Sequence, residues 1–195
     1  MDIEKLLEVI QVQRHDLLNH FQVISGFLQL NKPDRIREYI ELAIKEMKGM
    51  SQTTRFKTPE VTAALLIGLN EAAKHQVKLE LAVISSLDEC TVPGPVVGRA
   101  LEKVMNCFFD NLASYELGDR HFTVKFQESE KVYTICFSGP VLCIDDPVVL
   151  KNDLEPVNKL LKTYDGRSDI AVSSETIEII LNLPRKTTKS GQPTG

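Results

Sequence analysis

Apolar side chains recur at alternating spacings of three and four residues along the start of the chain. This is the heptad pattern of a helix that packs lengthwise against a partner helix. The positions of this seam, apolar with one exception, are Ile3, Leu7, Ile10, Arg14, Leu17, Phe21, Ile24 and Leu28. Apolar residues beside the seam widen the apolar face, as a helix that touches more than one neighbour requires. The pattern predicts one helix over residues 2–30.

A second helix with the same rhythm follows a turn at residues 31–34. Pro33 cannot continue the first helix but fits the first turn of the next, and Asp34 complements the positive end of that helix. The apolar positions of this second helix are Ile36, Ile40, Ala43, Met47 and Met50. A short link between two such helices predicts an antiparallel hairpin over residues 1–55. The sustained heptads favour covering its apolar stripe with a copy of itself, as a dimeric four-helix bundle.

From Thr58 onwards the pattern changes to shorter helices and strands. Thr58, Pro59 and Glu60 form a typical helix start, with a capping hydroxyl, a proline and an acid in the first turn. Helices are predicted over residues 58–75, 96–116 and 147–164, the last with Pro156 as a candidate break. Strands are predicted over residues 77–83, 121–127, 131–137, 170–173 and 177–183. The fold class is therefore α+β, with helices on one face of a mixed sheet over residues 56–184 and a disordered tail over residues 185–195.

Composition limits the function classes. The chain has 195 residues, 43% hydrophobic and 26% charged, and a net charge of −4, as in an ordinary soluble globular protein. This mild acidity gives no reason to expect nucleic acid as a partner. Because we find no apolar run of membrane-spanning length and no signal peptide before the first helix, we expect a cytoplasmic protein without a membrane partner. The four cysteines form no C-x-x-C motif and are expected to be free thiols in a reducing cytosol.

His15 is the residue that the sequence singles out for chemistry. With Arg14 as heptad position a, His15 falls at b and Asn19 at f, one turn apart on a face away from the seam. His15 should therefore be reachable from solvent on a rigid backbone, as a nucleophile that enters another protein's active site requires. Neutral imidazole attacks phosphorus well, and the phosphoramidate it forms passes the group on. Asp16 could orient the ring or accept its proton, Asn19 could bond the ring or the phosphoryl group, and Arg14 could offset phosphoryl charge.

The histidines admit other interpretations. A lone histidine on a helix is usually only a polar surface residue. A metal site of His15, Asp16 and His20 is disfavoured because side chains five residues apart diverge on a helix. His20 falls at heptad position g, where packing beside the seam is the better interpretation. His75 and His121, at a helix end and a strand start, are interpreted as structural.

Residues 14–40, RHDLLNHFQVISGFLQLNKPDRIREYI, resemble the phosphoacceptor hairpin of the sporulation-type histidine phosphotransferases. A related hairpin occurs in citrate- and fumarate-type sensor histidine kinases. These proteins share an R-H-D-x-x-N signature in which the histidine before the aspartate is phosphorylated, which here is His15. The resemblance implies a phosphorelay enzyme that moves a phosphoryl group from one response regulator to an aspartate of a second. It implies no cofactor on this chain and Mg²⁺ supplied by the partner regulator.

The second domain resembles a degenerate ATP-binding domain of the histidine-kinase type. The Phe-Asp-Asn triplet at residues 109–111 lies where such kinases carry the asparagine that holds magnesium. After the strand ending at Phe137, a working kinase has Asp-x-Gly-x-Gly, whereas this chain has Ser-Gly-Pro at residues 138–140, and residues 149–157 contain no glycine for a lid. Without those backbone cradles phosphates lack a site. Asn111 is therefore interpreted as a relic, with a weak nucleotide contact as the alternative.

Two alternatives to the phosphotransferase hypothesis stay open. An ATP-dependent sensor histidine kinase is disfavoured by the missing glycine loops and by how soon the hairpin begins. A non-catalytic dimeric scaffold that docks onto kinases would have no need of His15.

Overall fold

The computed structural model describes residues 3–112 and 120–186, apart from the side chains of residues 46 and 48–50. Several predicted features lie outside the described residues: the helix start at Asp2, the seam side chain Met50, the end of the helix predicted to reach Glu116, and the tail from residue 187. None of the helices in the described ranges is long and apolar enough to cross a bilayer.

The first two helices form the predicted antiparallel hairpin. Helix α1 spans Ile3–Gln29 and helix α2 spans Pro33–Ser51. The turn places Asn31 in the left-handed region, with φ 50°, which asparagine adopts more readily than most residues. Helix α1 faces α2 through a line of side chains that runs beside the seam. The half-buried residues of this line are Leu6, Gln13, His20 and Phe27. The rings of His20 and Phe27 lie 5.8 Å and 6.1 Å from the ring of Tyr39 on α2.

No part of the chain that the structure describes covers the seam itself. Six of its apolar side chains are between 41% and 65% exposed: Ile3, Leu7, Ile10, Leu17, Phe21 and Leu28. Scattered apolar residues on a surface need no explanation, but a continuous stripe along one helix marks an interaction surface. The hairpin therefore partly buries the line of α1 side chains that faces α2 and leaves the heptad seam exposed.

The C-terminal part is a five-stranded mixed sheet in the order β1-β2-β3-β5-β4. The strands are β1 Lys78–Val83, β2 His121–Glu128, β3 Val132–Pro140, β4 Arg167–Val172 and β5 Thr176–Pro184. The helices are α3 Pro59–Lys74, α4 Gly94–Asp110, α5 Pro147–Asp153 and α6 Glu155–Lys162, with short 3₁₀ turns at Gln52–Arg55 and Val141–Cys143. Strands β1 and β2 are parallel, and α4 lies in the crossover between them. All other strand neighbours are antiparallel.

Strict alternation in the strands places one face of the sheet in the core. Every second residue of β2, β3 and β5 is buried, and the intervening residues are mostly half-exposed. The fully buried side chains include Phe126 and Ile135 from the sheet and Leu65 and Leu101 from the helices. Helices therefore cover one face only, which confirms the predicted α+β class. Pro156 lies in the first turn of α6, so it separates α5 from α6 as the sequence indicated.

The link between the hairpin and the sheet domain is packed against the sheet domain. Thr53 in the 3₁₀ turn is buried, and its carbonyl oxygen accepts from the Thr62 hydroxyl at 3.1 Å. The Arg55 guanidinium donates to the Val83 carbonyl at 2.9 Å. Phe56 is buried with its ring 4.7 Å from that of Phe126. The link is thus continuous with the core of the second domain.

Residues 185 and 186, where the predicted tail begins, still contact the sheet domain. The Arg185 guanidinium lies 2.7 Å from the Glu89 carboxylate and donates to the Ser129 carbonyl at 3.1 Å. The Lys186 backbone N–H donates to the Glu89 carbonyl at 2.9 Å. These partners are distant in sequence, so local composition gave no sign of them.

Glycine positions offer a stability test of the α3–α4 contact. A Cβ at Gly98 would lie 2.7 Å from the Glu60 carbonyl oxygen, whereas a Cβ at Gly26 would meet nothing within 4 Å. Both residues are helical, so alanine brings each the same gain in helix propensity. Overpacking against backbone should make Gly98→Ala about 2 kcal/mol less stable than Gly26→Ala. Urea unfolding measures both, and equal free energies of unfolding would mean that α3 and α4 do not pack as closely as described.

Candidate functional site

His15 lies near the middle of α1 and points away from α2. Its side chain is 74% exposed, and the Asp16 side chain is 61% exposed. The Asn19 amide nitrogen is 3.1 Å from Nδ1 of His15, and Asp16 Oδ1 is 3.7 Å from the same atom. Arg14 is also exposed and lies on the uncovered seam. The structure thus brings three of the predicted site residues together at one ring nitrogen.

The contact between Asn19 and His15 has two chemical forms. With the amide nitrogen toward the ring, Nδ2–H donates to Nδ1, and the neutral imidazole carries its proton on Nε2. Turning the amide by 180° exchanges nitrogen and oxygen with little change in shape. The Asn19 carbonyl oxygen then accepts Nδ1–H and the lone pair is on Nε2. A carboxylate is an acceptor only, so Asp16 near Nδ1 favours the second form.

His20 has a different environment from His15. It is half-buried, and its Nδ1 lies 3.1 Å from the Tyr39 hydroxyl across the hairpin. It lines a groove of about 490 Å³ between α1 and α2, together with Gln13, Asp16, Leu17, Asn19, Tyr39 and Met47. His15 is not among the residues that line this groove, although its neighbours Asp16 and Asn19 are. Among the described residues, no group of three His, Cys, Asp or Glu side chains is arranged to hold a metal ion.

The sheet domain contacts the face of α1 that carries His15. Glu8 precedes His15 by seven residues, so it occupies the same heptad position. The Glu8 carboxylate is 2.7 Å from the Lys74 ammonium at the end of α3, and Lys74 is 3.0 Å from Glu71. The hydrogen bond to Glu8, followed by that to Glu71, raises the pKa of Lys74 above its ordinary value. Val9, next to Glu8, is buried. Sequence reasoning missed this contact, because no local pattern pairs Glu8 with Lys74.

Asn111 is occupied by hydrogen bonds within the chain. Its amide nitrogen donates to the Cys107 carbonyl at 2.9 Å and to the Asp153 carboxylate at 3.1 Å. These two bonds use both hydrogens of the amide. The residue is 9% exposed and follows the last turn of α4. In this state the side chain links α4 to α5.

The Ser-Gly-Pro triplet at residues 138–140 belongs to strand β3. These residues pair with residues 176–178 of β5. A Cβ at Gly139 would collide with the Phe122 ring, so glycine here makes room for an aromatic core residue. Phe108 lies 5.2 Å from Phe122 and 6.3 Å from Phe137, ring centre to ring centre. Position 139 is therefore used for packing.

The cysteines stand apart from the histidine site. All four are free thiols. Burial raises the pKa of each above its ordinary value, and burial with the nearby Asp153 and Asp110 carboxylates raises the pKa of Cys107 to about 11. Since the thiolate is the reactive form, these thiols are poor nucleophiles.

Comparison with known proteins separates the two parts of the chain. Residues 1–56 match the family model described as Sensor_kinase_SpoOB-type, alpha-helical domain. Sporulation initiation phosphotransferase B of Bacillus subtilis (strain 168) is 28% identical over 123 residues, which is 63% of this chain. The match spans 62% of that protein's length, less than two thirds of it.

Similar solved structures are histidine kinases. The histidine kinase AdeS of Acinetobacter baumannii has a TM-score of 0.51 and 10% identity, covering 88% of this chain and 98% of its own. A histidine kinase from Burkholderia phymatum STM815 has a TM-score of 0.53 and 8% identity, covering 94% and 97%. At such identities the likeness concerns the fold alone, and it confirms the predicted resemblance of the sheet domain to a kinase catalytic domain. Residues 1–56 thus match a SpoOB-type alpha-helical domain, and the mixed sheet domain that follows is similar in fold to histidine kinases.

Proposed function

We propose that this chain is a histidine phosphotransferase of a sporulation-type phosphorelay. His15 takes a phosphoryl group from the aspartyl-phosphate of one response regulator and gives it to an aspartate of a second. The supporting observation is the exposed His15 ring, whose Nδ1 lies beside Asn19 and Asp16 in a SpoOB-type helical domain. Similarity to a named sporulation phosphotransferase supports the transfer class.

The proposed transfer uses Nε2 of His15 as the nucleophile. With the Asn19 amide turned so that its carbonyl oxygen faces the ring, that oxygen accepts Nδ1–H, the Asp16 carboxylate lies near the same proton, and the lone pair is on Nε2. Nε2 attacks phosphorus, the P–N bond forms, and the P–O bond to the regulator's aspartate breaks with release of the carboxylate. The Nδ1 proton then passes to Asp16 or to water. In the second half that proton returns to Nδ1, a carboxylate oxygen of the other regulator attacks phosphorus, and Nε2 takes back the electron pair as the P–N bond breaks, which regenerates the neutral imidazole.

Arg14 and the regulators are proposed to supply the positive charge that offsets the phosphoryl group. Arg14 is exposed one residue from His15 and could offset phosphoryl charge. We assign the divalent cation, Mg²⁺, and the residues that hold it to the response regulator. On this proposal the chain needs only to present Nε2 in line with the bond that breaks.

We propose that the chain works as a homodimer. The uncovered seam runs along nearly the whole of α1, on the side adjacent to α2. Two such hairpins would bury their seams against each other as a four-helix bundle, because each presents the same heptad stripe. The His15 face would stay outside that contact, since positions b and f lie away from a and d.

The sheet domain is proposed to have no ATP-dependent role. The kinase-like fold supports the competing sensor-kinase hypothesis. Against it, Gly139 is packed against the Phe122 ring, so a glycine turn that cradles phosphate at this position would require that packing to be released. A scaffold function would leave His15 without a role. The His15→Ala variant described below distinguishes that alternative from a phosphotransferase.

Charge placed on the seam should separate the subunits. Leu17→Glu and Phe21→Glu put carboxylates at seam positions that a second copy would bury, and a buried unpaired charge is costly. Each variant should sediment as a monomer at micromolar concentration, whereas the wild type and Gln22→Glu, which adds the same charge off the seam, should sediment as dimers. A wild-type chain that is monomeric in this range would contradict the bundle.

Replacing each of the two histidines with alanine separates the residue that accepts phosphate from the residue that supports the fold. His15→Ala should abolish phosphoryl transfer between regulators, yet change the free energy of unfolding by less than about 0.5 kcal/mol because the side chain is exposed. His20→Ala should keep transfer and lose stability through its contact with Tyr39. Asp16→Ala and Asn19→Ala should slow transfer without abolishing it. Labelled-phosphate transfer assays and circular dichroism measure these effects.

The opposite pattern would overturn the assignment. Transfer that survives in His15→Ala but is lost in a folded His20→Ala would place the acceptor on the wrong face of α1. Transfer that is equal in all variants would favour the scaffold alternative.

A further inference from the structure

The loop after β1, residues 84–91, holds a leucine in a left-handed backbone conformation. Leu87 has φ 61°, a region that a bulky side chain enters only at a cost. The other non-glycine residues with positive φ in the described part of the chain are all polar. Leu87 is nevertheless 5% exposed and belongs to the core of the sheet domain. Such strain persists only where surrounding contacts hold the backbone in place.

Two side chains of the sheet anchor this loop on either side of Leu87. The Ser85 hydroxyl oxygen accepts the Leu87 N–H at 3.5 Å, and the same hydroxyl donates to the Glu128 carboxylate at 2.9 Å. The Glu89 N–H donates to the Tyr133 hydroxyl at 3.1 Å. Glu128 and Tyr133 are therefore the two anchors of the loop.

The end of β5 and the two residues after it cross the loop as a strap, defined here as residues 184–186. The Thr91 N–H and hydroxyl both donate to the Pro184 carbonyl, at 3.0 Å and 3.1 Å. The Lys186 N–H donates to the Glu89 carbonyl at 2.9 Å. The strap thus runs antiparallel to residues 89–91.

The Arg185 side chain connects the strap to both anchors. Its Nε–H donates to the Glu89 carboxylate at 2.7 Å. Its guanidinium lies 5.5 Å from the centre of the Tyr133 ring and 4.0 Å from the Glu128 carboxylate. The side chain is 25% exposed, so these charge-assisted contacts are largely shielded from water. A single side chain therefore touches the loop and the two groups that hold it.

The same loop also contacts the link between the hairpin and the sheet domain. The Lys57 ammonium donates to the Asp88 carboxylate at 3.0 Å, and this hydrogen bond is the main cause that lowers the pKa of Asp88. The Arg55 guanidinium bonds the Val83 carbonyl, one residue before the loop begins. Because Leu87 directly precedes Asp88, a change of φ at Leu87 would move Asp88 away from the link.

We propose that the strap is a latch on a loop with two conformations. In the closed conformation Arg185 holds residues 84–91 with Leu87 in the left-handed region. When the strap is withdrawn, Leu87 returns to an ordinary negative φ, the loop opens, and the link loses its Lys57–Asp88 contact. Proteolytic loss of the chain end is the simplest event that withdraws the strap. The latch controls how firmly the link is held, and it uses none of the residues assigned to phosphoryl transfer.

The test measures amide hydrogen exchange in two variants of the full-length chain. Arg185→Gln removes the charge that reaches both anchors. Lys186→Gln makes the same change at the next residue, whose side chain is exposed and whose backbone hydrogen bond to Glu89 is kept. Mass spectrometry and NMR follow the exchange of the loop, residues 84–91, of the link, residues 52–58, and of strand β3.

Arg185→Gln should speed exchange of the Glu89 and Thr91 amides at least about tenfold, because local opening no longer breaks a charge-assisted contact. Link amides should exchange about threefold faster through loss of an exposed ion pair. The Leu87 ¹³Cα chemical shift should move toward its value at negative φ, and β3 should be unchanged. Lys186→Gln should match the wild type throughout.

A second comparison tests the coupling of the loop to the link. Lys57→Gln should speed link exchange without affecting the loop, and adding Arg185→Gln should bring no further increase in the link. An equally large Arg185→Gln effect on the link in both backgrounds would overturn the coupling.

Equal loop exchange in Arg185→Gln and Lys186→Gln would overturn the latch. A rise of the same size in β3 would also overturn it, since the change would then be global unfolding. If Arg185→Gln does not fold, Arg185→Lys, which keeps the charge, takes its place in the same comparison. Loop exchange in Arg185→Lys that equals that of Lys186→Gln would then contradict the latch, and faster exchange confined to the loop and link would support it.

Discussion

Helix α1 presents a different surface on each of its faces, and the heptad repeat keeps these faces separate. One line of side chains packs on α2 through residues such as His20 and Phe27. The adjacent seam is apolar and uncovered. The opposite side carries His15 and Asn19 and, two turns earlier, meets α3 through Glu8. A polar site can exist on such a helix only because the apolar positions are confined to fixed angles.

The sheet domain keeps the architecture of a kinase catalytic domain while its key positions are used for packing. Asn111 joins α4 to α5, and Gly139 gives space to Phe122. The Glu8–Lys74 ion pair joins this domain to α1, and the link before it is packed on the sheet through Phe56. These contacts fit a domain that frames His15 for an incoming protein.

Periodic features were predictable from the sequence, and contacts between distant residues were not. The heptads gave both helices of the hairpin, and alternation gave all five strands to within a few residues. The signature placed His15, Asp16 and Asn19 at one site because residues three or four apart on a helix are neighbours. No such rule connects Glu8 to Lys74, Asn111 to Asp153, or Arg185 to Glu89. Each of those pairs depends on how elements pack after folding, which a single sequence does not encode locally.

The central claim is that the phosphoryl group enters from an aspartyl-phosphate and rests on Nε2 of His15. The most direct measurement incubates the chain with labelled magnesium-ATP alone or with a phosphorylated response regulator, then locates the product by mass spectrometry and ³¹P NMR. The account predicts no label from ATP and, from the regulator, an acid-labile, base-stable phosphoramidate on Nε2 of His15. Label taken from ATP, or phosphate found on Nδ1 or on another residue, would contradict it.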